Sequence, residues 1–394
     1  MTPTFRAGLK PLGVVVNAVL TFLILAVATR QGQFADIAAY SAGASFGALV
    51  AAVAGSGTSL AYVTGDAAAQ TAVRWVRHRF VAPLMTAGTV TAATFYDLTT
   101  DLTLAAVLLG GLAVVFNNMS ELESAALERH LETPRILLST TVSRSLGVAA
   151  IFIGASFSGA MLTVAVANFA MLWFLAREFV TKAEDHSGVR NRLRLAYAPS
   201  LMALSVLGVA VTRSVLMVAP LLMDADAAGA LASLISAQQS ITAVAISTLY
   251  TLMAARVEQG RMAPWMTRAA RWSVGLATLI ALCAAIATPI VLAVLSLTAT
   301  PDAALWWIML ACAIPFYTQN RRRQYELLGR GERTQATLLL AVLSGATLVA
   351  CVVAALMNQY SILAASSLIA EAVGFAVFAA KQLLRRDLSD EPED

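Results

Sequence analysis

The chain has 394 residues, of which 59% are hydrophobic and only 13% charged, with a formal net charge of +4. Mean hydropathy is +0.74 and the pI is near 9.1. Globular domains carry about 25% charged residues, so a soluble protein of this length could not cover its surface. A cytosolic enzyme, a nucleic-acid-binding protein and a secreted domain are excluded, and the composition is that of a polytopic membrane protein.

A helix needs about 20 apolar residues to cross the hydrocarbon core. At the N-terminus, Arg6 and Lys10 precede an apolar run over 11–29, and Ala26-Val27-Ala28 resembles a cleavage site. The run is longer than the roughly 7–15 residues of a signal-peptide core, so it reads as an uncleaved first span. Eleven further spans follow at 37–60, 81–98, 102–126, 136–157, 159–180, 196–221, 228–253, 272–297, 303–319, 335–356 and 361–380. Gly43 and Gly47 form a small-xxx-small pair in the second, which suits close helix packing. The third is weak, because "TFYDLTTDL" interrupts its outer end. The fourth is apolar only as far as Phe116, and its last turns, "NNMSELESAALE", must face protein or water rather than lipid. Pro289 and Pro315 predict kinks in the ninth and tenth spans. Cys283, Cys312 and Cys351 lie scattered in apolar runs, which argues against a disulfide framework or a metal site. Asn17, Asn168, Gln238 and Gln239 suit hydrogen bonds between helices.

Charge placement tests the count. With the N-terminus in the cytoplasm, 24 of the 27 basic residues fall in inward segments: those around Arg6, Arg74–Arg79, Arg129–Arg135, Arg177–Arg194, Arg256–Arg271, Arg321–Arg333 and Lys381–Arg386. The outward loops hold Asp36, Asp101, Asp224, Asp226 and Asp302 instead. His78, His130 and His186 also fall in inward loops, where they read as solvated. The basic, tryptophan-containing stretches "VRWVRHR" and "MTRAARW" fit an anionic inner leaflet better than nucleic acid. The end of the acidic tail 384–394, "DLSDEPED", reads as disordered. Every outward loop is short, which leaves no room for an external catalytic domain; the chain is not expected to be an enzyme and implies no cofactor.

The two halves resemble each other. Asp36 in "ADIAA" matches Asp226 in "ADAAG", and Trp75 matches Trp265 at the same offset. Further on, "ALERHLETPRILL" matches "LLGRGERTQATLL", pairing Arg129 with Arg330 and Thr133 with Thr334. The shift in offset between these matches places an insertion of about eleven residues around "QNRRRQYE". The expected fold is therefore an all-α integral membrane protein of about twelve transmembrane helices. It comprises two parallel six-helix lobes, 1–194 and 195–383, around a central cavity.

Arg30, Arg144 and Arg213 remain outside the inward set. An arginine at the bilayer centre costs about 2.5–3.5 kcal/mol on insertion scales, so each needs a reason. Arg213 lies some 17 residues into the seventh span, or roughly 25 Å, and Arg144 about 12 Å into the fifth. Arg30 either snorkels to outer headgroups or lines a cavity; Arg144 snorkels inward, pairs with Glu121 or Glu123, or lines a cavity. The functional reading is that Arg30, Arg144 and Arg213 bind an anionic substrate, since a guanidinium offers phosphate two donors and a permanent charge. Glu371, near mid-depth in the twelfth span, is either an ion-coupling site or the counter-charge of an embedded arginine. Asn117, Asn118, Glu121 and Glu123 are candidates to line the cavity, or else a solvated helix end.

Three stretches carry a family resemblance: "LILAVATRQGQFADIAAYSAGASFGALVAAVAGSGTS", "VLGVAVTRSVLMVAPLLMDADAAGALASLISAQQ" and "RQYELLGRGERTQATLLL". They resemble the multidrug/oligosaccharidyl-lipid/polysaccharide exporter superfamily, and within it the Wzx-type polysaccharide flippases. The first has the Arg-x-Gly turn into the second span. In the second, Thr212-Arg213 stands where the family often has Asp-Arg, and Gly229-Ala230 where it often has Gly-x-Tyr. The resemblance implies a multi-pass protein of the bacterial inner membrane that flips a polyprenyl-pyrophosphate-linked oligosaccharide by alternating access. Arg30 and Arg213 would meet the pyrophosphate; Glu371 is the candidate for coupling to a proton or sodium gradient. Partners would be membrane lipid, the lipid-linked substrate, and a polysaccharide polymerase or glycosyltransferases. The competing readings are a cation-coupled multidrug antiporter of the same superfamily, which should show an acidic cavity, and a membrane-embedded component of envelope-polysaccharide synthesis.

Overall fold

The computed structural model describes residues 3–55, 58, 67–129, 132–177, 199–259, 264–300, 302–329 and 332–389, and among these it is all-α. The first half contains α1 (Pro3–Arg30), α2 (Phe34–Ala54), α3 (Ala67–Val76), a π-turn (Arg77–Val81), α4 (Ala82–Thr99), α5 (Leu104–Arg129), α6 (Thr133–Phe152) and α7 (Phe157–Ala176). The second contains α8 (Pro199–Leu222), α9 (Ala225–Gln259), α10 (Pro264–Ile286), α11 (Thr288–Val294), α12 (Ala303–Gly329), α13 (Arg333–Met357) and α14 (Tyr360–Ser389). Taking α3–α4 and α10–α11 as single bent rods gives the twelve units expected from the sequence. Among the described residues eight helices are long and apolar enough to cross a membrane, or nine when the α10–α11 pair, bent by 67°, is taken as one span. The break falls at Ala287, just before Pro289 in the first turn of α11, where the proline lacks an N–H for the Ala285 carbonyl and its ring crowds that carbonyl. Pro315 lies inside a continuous α12.

The halves share one packing plan. In the first, α1 packs on α6, α2 on α4 and α5, α4 on α5, and α7 on both α5 and α6. In the second, α8 packs on α13, α9 on α10 and α12, α10 on α12, and α14 on both α12 and α13. Each pair in one half has its counterpart at the same position in the other, so these are parallel six-helix lobes. The structure corrects the register of the repeat by one residue. Glu132 N–H donates to the Leu127 carbonyl at 2.9 Å, and Glu332 N–H to the Leu327 carbonyl at 2.9 Å. These equivalent turns pair Glu132 with Glu332, and thus Thr133 with Arg333 rather than Thr334. The insertion is also elsewhere. The second helices begin at Phe34 and Ala225 but the fourth at Leu104 and Ala303. The extra residues therefore enter before α12, and "QNRRRQYE" is plain helix inside it.

Small residues set the helix spacing. A Cβ at Gly43 would collide with the Val107 carbonyl, and one at Gly110 with the Tyr40 carbonyl, so α2 and α5 touch backbone to backbone. Between the lobes, α1 packs on α9 and α2 packs on α8 and α9. This contact is concentrated toward the face bearing the acidic loops. There one continuous apolar core joins Ile24, Ile37 and Tyr96 of the first lobe to Leu216, Leu231 and Trp307 of the second. The Tyr96 hydroxyl donates to the Met217 carbonyl at 2.7 Å across the interface. Toward the basic face the cores are separate: Leu122, Leu127 and Leu172, and Val76 and Met85, in the first lobe; Ala277 and Ile314, and Leu339 and Leu343, in the second. Among the described residues the lobes thus share one core at the acidic face and have a cavity between them toward the basic face.

Two surface expectations change. "VRWVRHR" is not a loop on a leaflet: it forms the end of α3 and the π-turn, and Arg77 is only 1% exposed. The helix α14 continues to Ser389, into the stretch expected to be disordered. His130 and His186 lie outside the described residues.

Candidate functional site

Three adjoining cavities occupy the gap between the lobes. The first, of about 460 Å³, is walled by α1, α2, α5, α6, α7, α8 and α9, and contains Arg144, Arg213, Tyr40, Asn17 and Thr21. The second, of about 390 Å³, lies mainly within the second lobe and contains Arg213, Tyr317, Gln238 and Glu371. Val14, Arg213, Gln239 and Ala243 line both, so Arg213 stands at the junction. The third, of about 540 Å³, lies nearer the basic face, between α2 and α5 of one lobe and α8 of the other.

The two arginines reach this space from opposite lobes. Arg144 is held by its Nε, which donates to Thr21 Oγ1 on α1 at 3.0 Å, and its side chain lines the cavity. It pairs with neither Glu121 nor Glu123. Arg213 forms no ion pair or hydrogen bond with any described residue. Tyr40 sits within electrostatic reach of both guanidiniums, packed edge-on against Phe157 at 5.3 Å between ring centroids. Gln239 donates to the Thr212 carbonyl at 3.4 Å beside Arg213. Asn17 donates to Thr140 Oγ1 at 3.2 Å, but its own Oδ1 has no partner among the described residues. The result is a pocket with two positive charges, several uncharged donors and acceptors, and no carboxylate bound to either arginine.

Arg30 is placed differently. It is exposed at the C-terminal end of α1, where a cation complements the helix dipole, and it lines none of the three cavities.

Glu371 is 1% exposed and fixed by Asn320, whose Nδ2 donates to its Oε2 at 2.7 Å and to its backbone carbonyl at 2.8 Å. Arg321 lies over the Tyr317 ring at 4.9 Å on the same side and is within electrostatic reach of Glu371. The charge rule places Arg321 among the solvated inward bases. It places Arg323 there too, yet Arg323 donates to the Phe375 carbonyl at 3.1 Å and stacks on the Phe375 ring.

Glu121, Glu123 and Asn118 surround the π-turn. Arg74 donates to Glu123 Oε1 at 2.6 Å. Arg77 donates to Thr58 Oγ1 at 2.8 Å, to the Asn118 carbonyl at 2.6 Å and to Glu121 Oε2 at 3.3 Å. Asn117, Asn118 and Glu121 line the third cavity, and Asn117 also lines the first. Glu123 lines neither and is consumed by Arg74. Sequence reasoning missed the inward turn of Arg74 and Arg77, because counting bases by topology treats each one as solvated. The signal was present in the polar end of α5, which needed partners.

No protein-family model matches the chain, and no curated protein matches it in sequence. Solved structures do match in fold. A lipid II flippase, MurJ, in an inward closed conformation superposes with a TM-score of 0.70 at 13% identity, covering 95% of this chain and 87% of that one. A multidrug resistance MATE-family transporter of the MOP superfamily, in an inward-facing conformation, gives 0.57 at 13% identity, covering 100% and 97%. The Vibrio cholerae MATE transporter VcmN, in a point-mutant form, gives 0.54 at 14% identity, covering 97% of each chain. The chain therefore has the two-lobed fold of these transporters.

Proposed function

We propose that the chain is a member of the multidrug/oligosaccharidyl-lipid/polysaccharide exporter superfamily. In this reading it flips an anionic, polyprenyl-pyrophosphate-linked oligosaccharide from the cytoplasmic to the outer leaflet of the bacterial inner membrane. The basic face, with both termini, is cytoplasmic, and the parted lobes are an inward-facing state. The observation that carries this reading is the pair of cavity guanidiniums, Arg144 and Arg213, neither bound to a carboxylate. Two partly buried charges with no carboxylate partner are costly unless a ligand supplies the counter-charge. A pyrophosphate supplies it, with acceptor oxygens to spare. Arg30 then serves at the outer mouth, where the headgroup leaves. The substrate's lipid supplies the membrane anchor; a polymerase and glycosyltransferases would consume and supply the oligosaccharide.

A second reading has one observation in its favour. Glu371 lines the space beside Arg213, and a buried carboxylate is what a cation-coupled multidrug antiporter needs. In the flippase reading Glu371, held by Asn320, is where a proton or sodium ion would couple to transport. The readings separate on depletion of the protein. The flippase reading expects lipid-linked oligosaccharide to accumulate and surface polysaccharide to fall, with unchanged resistance to cationic dyes. Sensitivity to dyes with normal surface polysaccharide would favour the antiporter.

A further inference from the structure

The third cavity is not needed for an anion. Its first-lobe wall is polar: Asn117, Asn118, Glu121 and Arg77. Its second-lobe wall is apolar, formed chiefly by Leu201, Leu204 and Val209 on α8, with Ser205 between them. Among the described lining residues Arg77 and Glu121 carry opposite charges and meet at 3.3 Å. Asn118 is only 8% exposed, and its Oδ1 has no hydrogen-bond partner among the described residues. Its side chain lines the cavity wall beside Asn117 and Glu121. Glu121 meets Arg77 through Oε2, and its side chain is 57% exposed. Carboxylate and amide oxygens on one side, facing branched aliphatic side chains on the other, match a pyranose. A sugar ring offers hydroxyl donors at its rim and an apolar C–H face.

Asn117 and Val114 line both this cavity and the one that holds Arg144. A group bound here is therefore continuous with a group bound at the arginines. We infer that the polar face of α5 at Asn117, Asn118 and Glu121, opposed by α8, is a saccharide subsite that takes a neutral sugar ring while the arginine pair holds the pyrophosphate. This rests on the flippase reading and adds a division of labour to it: the arginines recognise the class of lipid, and α5 recognises the sugar. Because its two walls belong to different lobes, the subsite is assembled where the lobes part toward the cytoplasm and is dismantled as they move.

The test uses the full-length protein in nanodiscs and two lipids, a polyprenyl pyrophosphate and the same lipid carrying an oligosaccharide. Glu121→Gln and Asn118→Ala should each weaken binding of the glycosylated lipid at least tenfold and leave the bare pyrophosphate within twofold. Arg213→Ala should weaken both alike. Equal loss of both lipids in the α5 variants, or loss of neither, overturns the subsite while leaving the flippase reading standing. Wild-type protein that binds neither lipid overturns the flippase reading and the subsite with it. Should Asn118→Ala fail to fold, Glu121→Gln decides, because that side chain is largely solvent-exposed.

Discussion

Replacing Arg213 with alanine should abolish export while leaving a folded protein in the membrane. No described residue depends on the Arg213 guanidinium for a hydrogen bond or ion pair, so its removal orphans no buried partner. Removing an unpaired charge from the cavity also relieves its desolvation cost, so a thermal midpoint in detergent should hold or rise. Binding should suffer instead. Truncating one member of a desolvated charge pair costs about 2–5 kcal/mol, or roughly 30-fold to several thousand-fold in affinity. Arg213→Lys should recover only part of this, because an ammonium loses the two-pronged match to phosphate oxygens. The check is surface polysaccharide in cells whose own copy is deleted, with membrane level and thermal midpoint measured alongside. Arg144→Ala should also impair export and cost slightly more stability, since Arg144 is tied to Thr21 between α6 and α1.

The second large effect concerns the seal at the acidic face. A Cβ at Gly229, in the first turns of α9, would collide with the Phe34 carbonyl at the start of α2. Overpacking of this kind costs about 1–3 kcal/mol where a core cannot adjust. Here the lobes can adjust by parting, so the strain falls on one conformational state. A shift of about 1.4 kcal/mol changes the ratio of states tenfold. Gly229→Val should therefore favour lobes opened at the outer face. In a background without native cysteines, a cysteine at Ser236, which lines the arginine cavity, should react with an impermeant maleimide from outside only in that variant. Gly345→Val, where nothing lies within 4 Å of the added carbon, serves as the control and should leave labelling unchanged.

Much of this organisation was legible in the sequence. The alternation of basic and acidic loops located the twelve helical units, because the charge rule acts on each connection separately. The repeat was legible at Asp36 and Asp226, which both stand in the first turn of a lobe's second helix. Arg144 and Arg213 stood out because an arginine in a span is costly enough to need a reason. What the sequence concealed was the partner of each charge. Arg77 and Arg321 sit within a turn or two of the basic end of their helices, where depth alone cannot tell solvated from buried. Tyr40 and Tyr317, beside the arginines, were silent for a similar reason. An isolated tyrosine in an apolar helix has no spacing that marks it as cavity-lining. Asn17, Gln238 and Gln239 were expected to join helices. Asn17 does so through Thr140 and Gln239 through the Thr212 carbonyl, yet all three also line cavities, because an amide has more hydrogen-bonding positions than one helix contact uses.

The central claim is that the cavity is built for a pyrophosphate, and direct binding tests it. The protein reconstituted in nanodiscs should bind a polyprenyl pyrophosphate with an affinity that weakens as salt is raised, and the Arg144→Ala/Arg213→Ala double variant should lose at least a hundredfold. A wild-type protein that ignores the pyrophosphate but binds a lipophilic cation, and binds it equally well or better without the two arginines, would contradict the account.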